Sequence, residues 1–239
     1  MKEGSPESIP NYSILSIKYE PSFKELIRWD VKSLTGRLLF QRVPPKIGLP
    51  ERLLNLGCGK TRFSNFVNAD FFSFGLRPKA RRGKPDWMLD LRYTLPCADN
   101  YWDGIFMEHT LEHLCPRDAL RLLTEINRVL KKDCWVRLSV PDLRKYVEYY
   151  LFPSKSHGEF KKWGTGAEAL RALTQNWTHR STWDCHLLTN MLRDVGFINV
   201  KEVSFGEGTD ERIIKDNDNR KWESLYMEAQ KSNGKLKES

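Results

Sequence analysis

The residues with the most chemical promise begin where an apolar run stops. Leu53-Leu54-Asn55-Leu56 ends in Gly57-Cys58-Gly59, and Val67-Asn68-Ala69-Asp70 follows shortly after. A buried parallel strand that ends in Gly-x-Gly turns sharply at its carboxyl end, where open α/β sheets bind nucleotides. Glycine suits that turn because a Cβ would hold a ligand off the backbone. Asp70, at the tip of the next strand, offers a carboxylate to a pair of ribose hydroxyls. A second group, His109, Glu112 and His113, has the H-x-x-E-H spacing of an inverted zinc peptidase. That chemistry needs both histidines one turn apart on a helix, a catalytic glutamate and a further carboxylate ligand. The context opposes it, because a strand ending near Glu108 runs directly into the motif and Pro116 opens the next helix soon after. A zinc hydrolase therefore stands only as an alternative. The cysteines and remaining histidines form no closed tetrahedral set, so no metal is expected and a chelator should leave the protein unchanged.

Alternating strands and helices must position these groups. Strands are expected at 53–57, 66–72, 86–91, 102–109 and 135–140, with only a short, irregular helix or turn at 60–65. Pro116 suits the first position of a helix, whose apolar face is Ala119, Leu122, Leu123, Ile126 and Leu130, with Lys131 and Lys132 complementing its dipole. Helices are also expected at about 143–152 and 183–194, the latter closed by Gly196. Strands at 198–205 and 224–230 leave no room for a crossover helix and should pair antiparallel. Residues 22–40 read as an amphipathic helix with Phe23, Leu26, Ile27, Val31, Leu34 and Leu38 in one stripe. Packing on the core is the ordinary fate of such a stripe, with membrane contact the alternative. The organisation expected is an arm and helix over 1–50, the main domain over 51–231 and a polar tail over 232–239. Within the main domain, 153–182 forms a polar insertion that could lid a substrate pocket.

Composition sets outer bounds. A chain of 239 residues, 40% of them hydrophobic, can bury one sizeable core. No apolar run approaches the ~20 residues that span a bilayer, and the first residues carry no signal-peptide core. Five cysteines, at 58, 97, 115, 134 and 185, lack any Cys-x-x-Cys pair and suit a reducing cytoplasm. The net charge of +8, with Arg77, Lys79, Arg81, Arg82 and Lys84 clustered, points to an anionic partner or a solvated loop. No RNA-binding signature is present and no aromatic side chains interleave the cluster. Nucleic acid therefore ranks behind a phosphate-bearing substrate or a membrane face.

In their order, these segments resemble class I S-adenosylmethionine-dependent methyltransferases. The resemblance rests on Leu54-Asn55-Leu56-Gly57-Cys58-Gly59, Asn68-Ala69-Asp70, Asp90-Leu91, Leu95-Pro96, Trp102-Asp103, Leu111-Glu112-His113, Asn127-Arg128-Val129-Leu130-Lys131 and Arg137-Leu138-Ser139-Val140-Pro141-Asp142. The short first loop and the closing Glu223-Ser224-Leu225-Tyr226-Met227-Glu228-Ala229 are similar to a small bacterial branch linked to cell-envelope polysaccharide and lipopolysaccharide synthesis. The resemblance implies a Rossmann-like seven-stranded, mostly parallel α/β sheet with an antiparallel last strand pair and helices on both faces. Two departures stand out. Gly59 to Asp70 spans 70 − 59 = 11 residues, where about twenty are usual, so the intervening helix must be stunted. Lys131-Lys132-Asp133-Cys134 also replaces the usual glycine-bearing turn before the fifth strand.

The resemblance implies roles. Asn55, Gly57, Cys58, Gly59, Asp70, Asp90, Leu91 and Glu108 fall at cofactor-binding positions, with Asp90 and the Leu91 backbone beside adenine. The Cys58 thiol itself has no needed role there. His113, His109 and Glu112 fall beside the transfer centre, where a histidine could take a proton from an acceptor hydroxyl. Asp142 could face the acceptor or cap a helix. His179, Trp183 and His186, with Trp177, could lid the pocket or simply pack an insertion. The expected activity is methyl transfer to an oxygen or nitrogen acceptor, a sugar hydroxyl of a glycan intermediate being the branch's implication. A non-catalytic cofactor-binding partner protein is the other alternative.

Overall fold

The computed structural model describes residues 23–46, 48, 50–72 and 84–234. The arm over 1–20, most of the basic cluster (Arg77, Lys79, Arg81 and Arg82) and the end of the tail lie outside the described residues. Seven strands form one sheet: β1 (Leu53–Leu56), β2 (Val67–Asp70), β3 (Trp87–Met88), β4 (Gly104–Glu108), β5 (Trp135–Pro141), β6 (Phe197–Val203) and β7 (Ser224–Lys231). Their order is β3-β2-β1-β4-β5-β7-β6. The first five strands run parallel, and β7 lies antiparallel between β5 and β6. This is the expected Rossmann-like arrangement. Chain order reverses at β1, between β2 and β4, which opens a crevice at the strands' carboxyl ends. Leu56 pairs with Ala69 on one side and Met107 on the other. That register brings Gly57, Asp70 and Glu108 to the same edge of the sheet.

The two faces are covered differently. Leu54, Leu56, Ile105, Met107, Val136 and Leu138 share one core with α2 (Pro116–Val129) and α5 (Cys185–Asp194). Ala119, Leu122, Leu123 and Ile126 of α2 are fully buried, as their spacing required. Each such aliphatic side chain larger than alanine contributes about 1.5–3 kcal/mol by leaving water. On the other face, Leu53 and Phe106 meet Phe66 and Ile213, with Phe63 edge-on to Phe106 at 5.9 Å. No helix forms between Gly57 and Phe66, so two phenylalanines on turns cover the face there. Asn68 stitches those turns: its Nδ2 donates to Phe63 O and Phe66 O, and its Oδ1 accepts from Phe63 N. The turn before β5 manages without glycine because Asp133 takes the left-handed conformation (φ 62°), which a short polar side chain tolerates.

Three expectations require correction. The third strand shrinks from 86–91 to Trp87–Met88 at the sheet's edge. The polar segment 153–182 contains a helix, α4 (Gly166–Gln175), opened by a capping box in which Thr165 Oγ1 accepts from Glu168 N and Glu168 accepts from Thr165 N. α4 packs against α3 (Leu143–Leu151), where Tyr146 and Tyr149 join Phe160, Trp163 and Trp222 in a second aromatic core. Most of the segment expected as a lid is thus a packed subdomain wall. Finally, α1 (Phe23–Thr35) turns its apolar stripe outward: Phe23 is 76% and Val31 57% exposed, and Ile27, Leu34 and Leu38 are also exposed. The inward face is small and polar. Ser33 is buried with its hydroxyl on Asp90, and Gly36, which opens the π-helical turn Gly36–Phe40 that continues α1, lies against the Phe72 ring with no space for a Cβ.

Candidate active site

At the tip of β1, Gly57 and Gly59 adopt left-handed conformations, φ 68° and 53°. A Cβ on Gly57 would lie 2.1 Å from Thr110 Oγ1, so the loop after β4 can approach only because this residue is glycine. A Cβ on Gly59 would meet nothing closer than Gly57 O at 4.0 Å, which leaves that part of the loop open to a ligand. Asp70 holds the loop from beside it: Gly59 N donates to Oδ2 and Phe71 N to Oδ1, both at 2.6 Å. Cys58 is buried with Sγ 3.9 Å from Asp70 Oδ2; burial, then the Asp70 charge, push its thiol up to about 12. It is inert packing. Asn55 is also buried, and its Nδ2 donates to Thr61 O and Asn68 Oδ1, bracing the loop from beneath.

A cleft of about 750 Å³ opens in front of this loop. Gly57, Gly59 and Asp70 form one wall, Leu89, Asp90 and Leu91 a second, and His109, Thr110 and His113 a third. Leu26, Trp29 and Asp30 of α1 close it from the N-terminal side. Sequence reasoning assigned α1 no part in the site, because the periodicity that sets Leu26 in an apolar stripe does not say what that residue covers. Asp90 holds that helix in place. Ser33 Oγ donates to its Oδ2 at 2.5 Å, while Arg92 donates through Nη2 at 2.7 Å and Nε at 3.1 Å and also reaches Asp30. Burial opposes the Asp90 charge, but these donors outweigh it and hold the carboxyl below its ordinary range. Both oxygens expected beside adenine are therefore already engaged.

Beyond β4 the chain makes a tight corner at His109 (φ 43°) and a single 3-10 turn over Leu111–His113. The histidines of H-x-x-E-H are thus not displayed on a helix, which removes the geometry of the zinc peptidase. Glu112 points into the protein at 1% exposure, with Oε1 3.4 Å from His109 Nδ1 and 4.0 Å from His113 Nε2. Burial raises its carboxyl to about 8. Burial also lowers His109 well below the ordinary imidazole range and His113 to about 4, so both rings are neutral at pH 7. His109 Nε2 lies 2.7 Å from Ser224 Oγ. His113 is the more open member, and its ring stands 5.0 Å edge-on to that of His179. A group of Glu112, His113 and His179 ligand atoms assembles here that the sequence did not bring together.

Other expected residues lie elsewhere. Glu108 turns away from the cleft, its Oε1 accepting from Asn217 N at 2.9 Å. Asp142 caps α3 by accepting from Arg144 N at 3.0 Å. Trp183 is buried in the main core, and His186 is exposed on α5, within 3.3 Å of Asn190 Nδ2. Of the four residues expected near the acceptor, only His179 joins the site. Its neighbours Thr178 and Arg180 line the cleft, and no local pattern in the sequence distinguished them.

The chain matches a family model described as a methyltransferase domain over residues 31–202. No curated protein matches it. Among solved structures it is similar to an S-adenosylmethionine-dependent methyltransferase from Archaeoglobus fulgidus. Identity there is 19% and the TM-score 0.48, over 92% of this chain and 100% of that one. A possible histamine N-methyltransferase from Thermotoga maritima is similar at 15% identity and TM-score 0.46, over 88% and 96% of the two chains. The 1,6-didemethyltoxoflavin-N1-methyltransferase of Burkholderia thailandensis is similar at 15% identity and TM-score 0.44, over 85% and 77%.

Proposed function

Because the chain belongs to the family that carries this methyltransferase domain, we propose that it transfers a methyl group from S-adenosylmethionine to a sugar hydroxyl of a phosphate-bearing glycan intermediate. The observation that carries this reading is one shared cleft, walled by the glycine loop and Asp70 on one side and by His113 on another. The residues present fit the cofactor: the Gly59 face of the loop is open, and the Asp70 carboxylate stands beside it to accept ribose hydroxyls. Asp90 departs from the expected pattern, since Arg92 and Ser33 hold its oxygens. In this reading Leu89 and Leu91 supply an apolar wall to the adenine, and Asp90 acts by fixing α1 over the cleft.

When bound, the cofactor supplies an electrophilic methyl group on a sulfonium sulfur. The chain's own contribution is placement and exclusion of water, which can account for several orders of magnitude in rate. Leu26 and Trp29 of α1 shield the cleft on one side, and Thr178 and Arg180 border it on the other. Proton removal from the acceptor falls to the His109, Glu112 and His113 group, with His113 the member open to the cleft.

The acceptor class rests on charge and surface. Arg77, Lys79, Arg81, Arg82 and Lys84 form a cationic run in the sequence that suits a phosphate. The exposed apolar stripe of α1, with Lys24 and Arg28 among it, suits a membrane surface that presents lipid-linked intermediates. No helix among the described residues is long and apolar enough to cross a membrane. The five unpaired cysteines suit the cytoplasmic side. Labelled methyl transfer onto glycan phosphates, compared with small uncharged metabolites, tests the reading. Arg81→Gln with Arg82→Gln should raise the acceptor KM without changing cofactor affinity. Equal rates on uncharged metabolites, with no effect of the double substitution, would leave a general small-molecule methyltransferase.

A further inference from the structure

Among the described residues no other residue gives either carboxylate oxygen of Glu112 a hydrogen bond, although the residue is buried. A buried carboxylate with so few donors is strongly disfavoured; its own backbone N–H is the donor beside it, and the neighbouring imidazoles turn lone pairs toward it. Ser224 Oγ gives its one proton to Arg220 O at 2.7 Å, so it accepts from His109 Nε2–H, also at 2.7 Å. The lone pair of His109 then sits on Nδ1, facing Glu112 Oε1. His179 Nδ1 lies 2.7 Å from Leu173 O, which can only accept, so the His179 lone pair is on Nε2. Thr178 Oγ1 donates to Trp177 O and stands 3.5 Å from His113 Nδ1, and the Trp177 and Thr178 backbones also accept from this ring, an arrangement that favours the proton on Nδ1. His113 Nε2 therefore also presents a lone pair toward Glu112.

One ligand atom from each of Glu112, His113 and His179 lies within 4.8 Å of the other two. A proton on Glu112 could satisfy His109 Nδ1 but would supply no donor to the free nitrogens of His113 and His179. A cation satisfies all of them. In each of these two rings the nitrogen turned away is held by an acceptor, an arrangement that fixes the tautomer of a metal-binding histidine. We propose that Glu112, His113 and His179 form a site for a divalent cation of the zinc class, with one coordination position open to the cleft. Two imidazoles and a carboxylate are a zinc-type donor set, whereas magnesium and calcium prefer all-oxygen sites. Tetrahedral zinc with bonds of about 2.1 Å places ligands about 3.4 Å apart, so the three side chains need to close by roughly 1 Å.

The glutamate is a ligand in this site and His109 stands behind it, unlike the peptidase arrangement. Thr178 and His113 border both the site and the cleft, so with the ion bound His113 would serve as a ligand in place of a base, and an acceptor hydroxyl entering there would meet the open position and be polarised by the ion. That catalytic meaning rests on the methyl-transfer reading; the binding of the ion does not.

The test uses the full chain, stripped with a chelator and checked for folding by circular dichroism. It should take up one equivalent of Zn²⁺ in competition with a chromophoric chelator, and one of Co²⁺ with the visible absorption of a low-coordinate ion. Glu112→Gln and His179→Ala should each weaken the ion at least tenfold. Should Glu112→Gln fail to fold, His179→Ala decides the matter. Absence of stoichiometric uptake by the folded protein, or wild-type affinity in the folded variants, overturns the site. Calorimetry with S-adenosylhomocysteine on the same samples separates the two readings. An ion bound without that ligand overturns the proposed function alone, and the ligand bound without an ion overturns this site alone.

Discussion

Asp70→Ala is the most direct perturbation of the cofactor reading, because this carboxylate does two separable things. In the free protein it accepts from Gly59 N and Phe71 N, both at 2.6 Å, and so shapes the glycine loop. Toward the cleft, which it lines, it would present the same charge to a ribose under the proposed reading. Hydrogen bonds to a charged partner are worth about 1.5–3 kcal/mol each. Loss of the two amide contacts falls on the free protein and should lower its melting temperature. Loss of the ribose contacts falls on affinity, where about 1.5–3 kcal/mol is roughly a 10- to 150-fold weaker Kd. Asp70→Asn keeps one acceptor but turns an N–H₂ toward one of the two amides, so it should lie between the parent and the alanine variant. Calorimetry with S-adenosylhomocysteine reads the affinities, and a thermal melt on each sample reads the loop contribution. A folded Asp70→Ala protein that binds within threefold of the parent would refute the assignment of this carboxylate to the ribose.

Gly57→Ala should both destabilise the protein and abolish ligand binding, since its Cβ would strike Thr110 at a left-handed position. Gly206→Ala, also at positive φ (74°) but with nothing within 4 Å, should cost only the backbone strain of about 1–2 kcal/mol; equal melting temperatures for the two variants would sink the close-approach argument. A pH prediction follows from Asp90. Its carboxyl is held low in the folded protein, so its contribution is complete above the ordinary carboxylate range and vanishes as pH falls through the lower folded value. Arg92→Met removes the guanidinium donors, the strongest of those responsible, and should move the acid-unfolding midpoint, followed by circular dichroism, to higher pH. An unchanged midpoint would show that the ion pair does not govern acid stability.

Much of the scaffold was legible in the chain because it depends on local pattern. The apolar spacing after Pro116 fixes α2 whatever it packs against, and the run into Gly57 fixes a strand that ends in a tight turn. The ten residues between Gly59 and Asp70 cannot hold a full crossover helix, and Phe63 and Phe66 on turns cover the sheet there. Helix α4 was also within reach: Thr165-x-x-Glu168 is a capping box followed by good helix formers, masked by the Gly, Pro and aromatic residues around it. The corner at His109 was not, because a left-handed conformation at a histidine leaves no trace in composition.

What the sequence determined by itself is the set of local commitments: the glycine turn, the acid at the tip of β2, the order of strands and helices, and membership of a methyltransferase family. These follow from spacing and backbone preference over a few residues. Tertiary structure decided which side chains share a space. It turned the polar face of α1 inward, because Asp90 supplies an acceptor for Ser33 and Phe72 leaves room only for Gly36. It sent Trp183 into the core and His186 to solvent, although both lie in the same short stretch as His179. It carried His179 to Glu112 across a long stretch of chain, where one carboxyl group and two imidazoles now share a space. Such meetings depend on packing between distant segments, and no local period in a sequence encodes them.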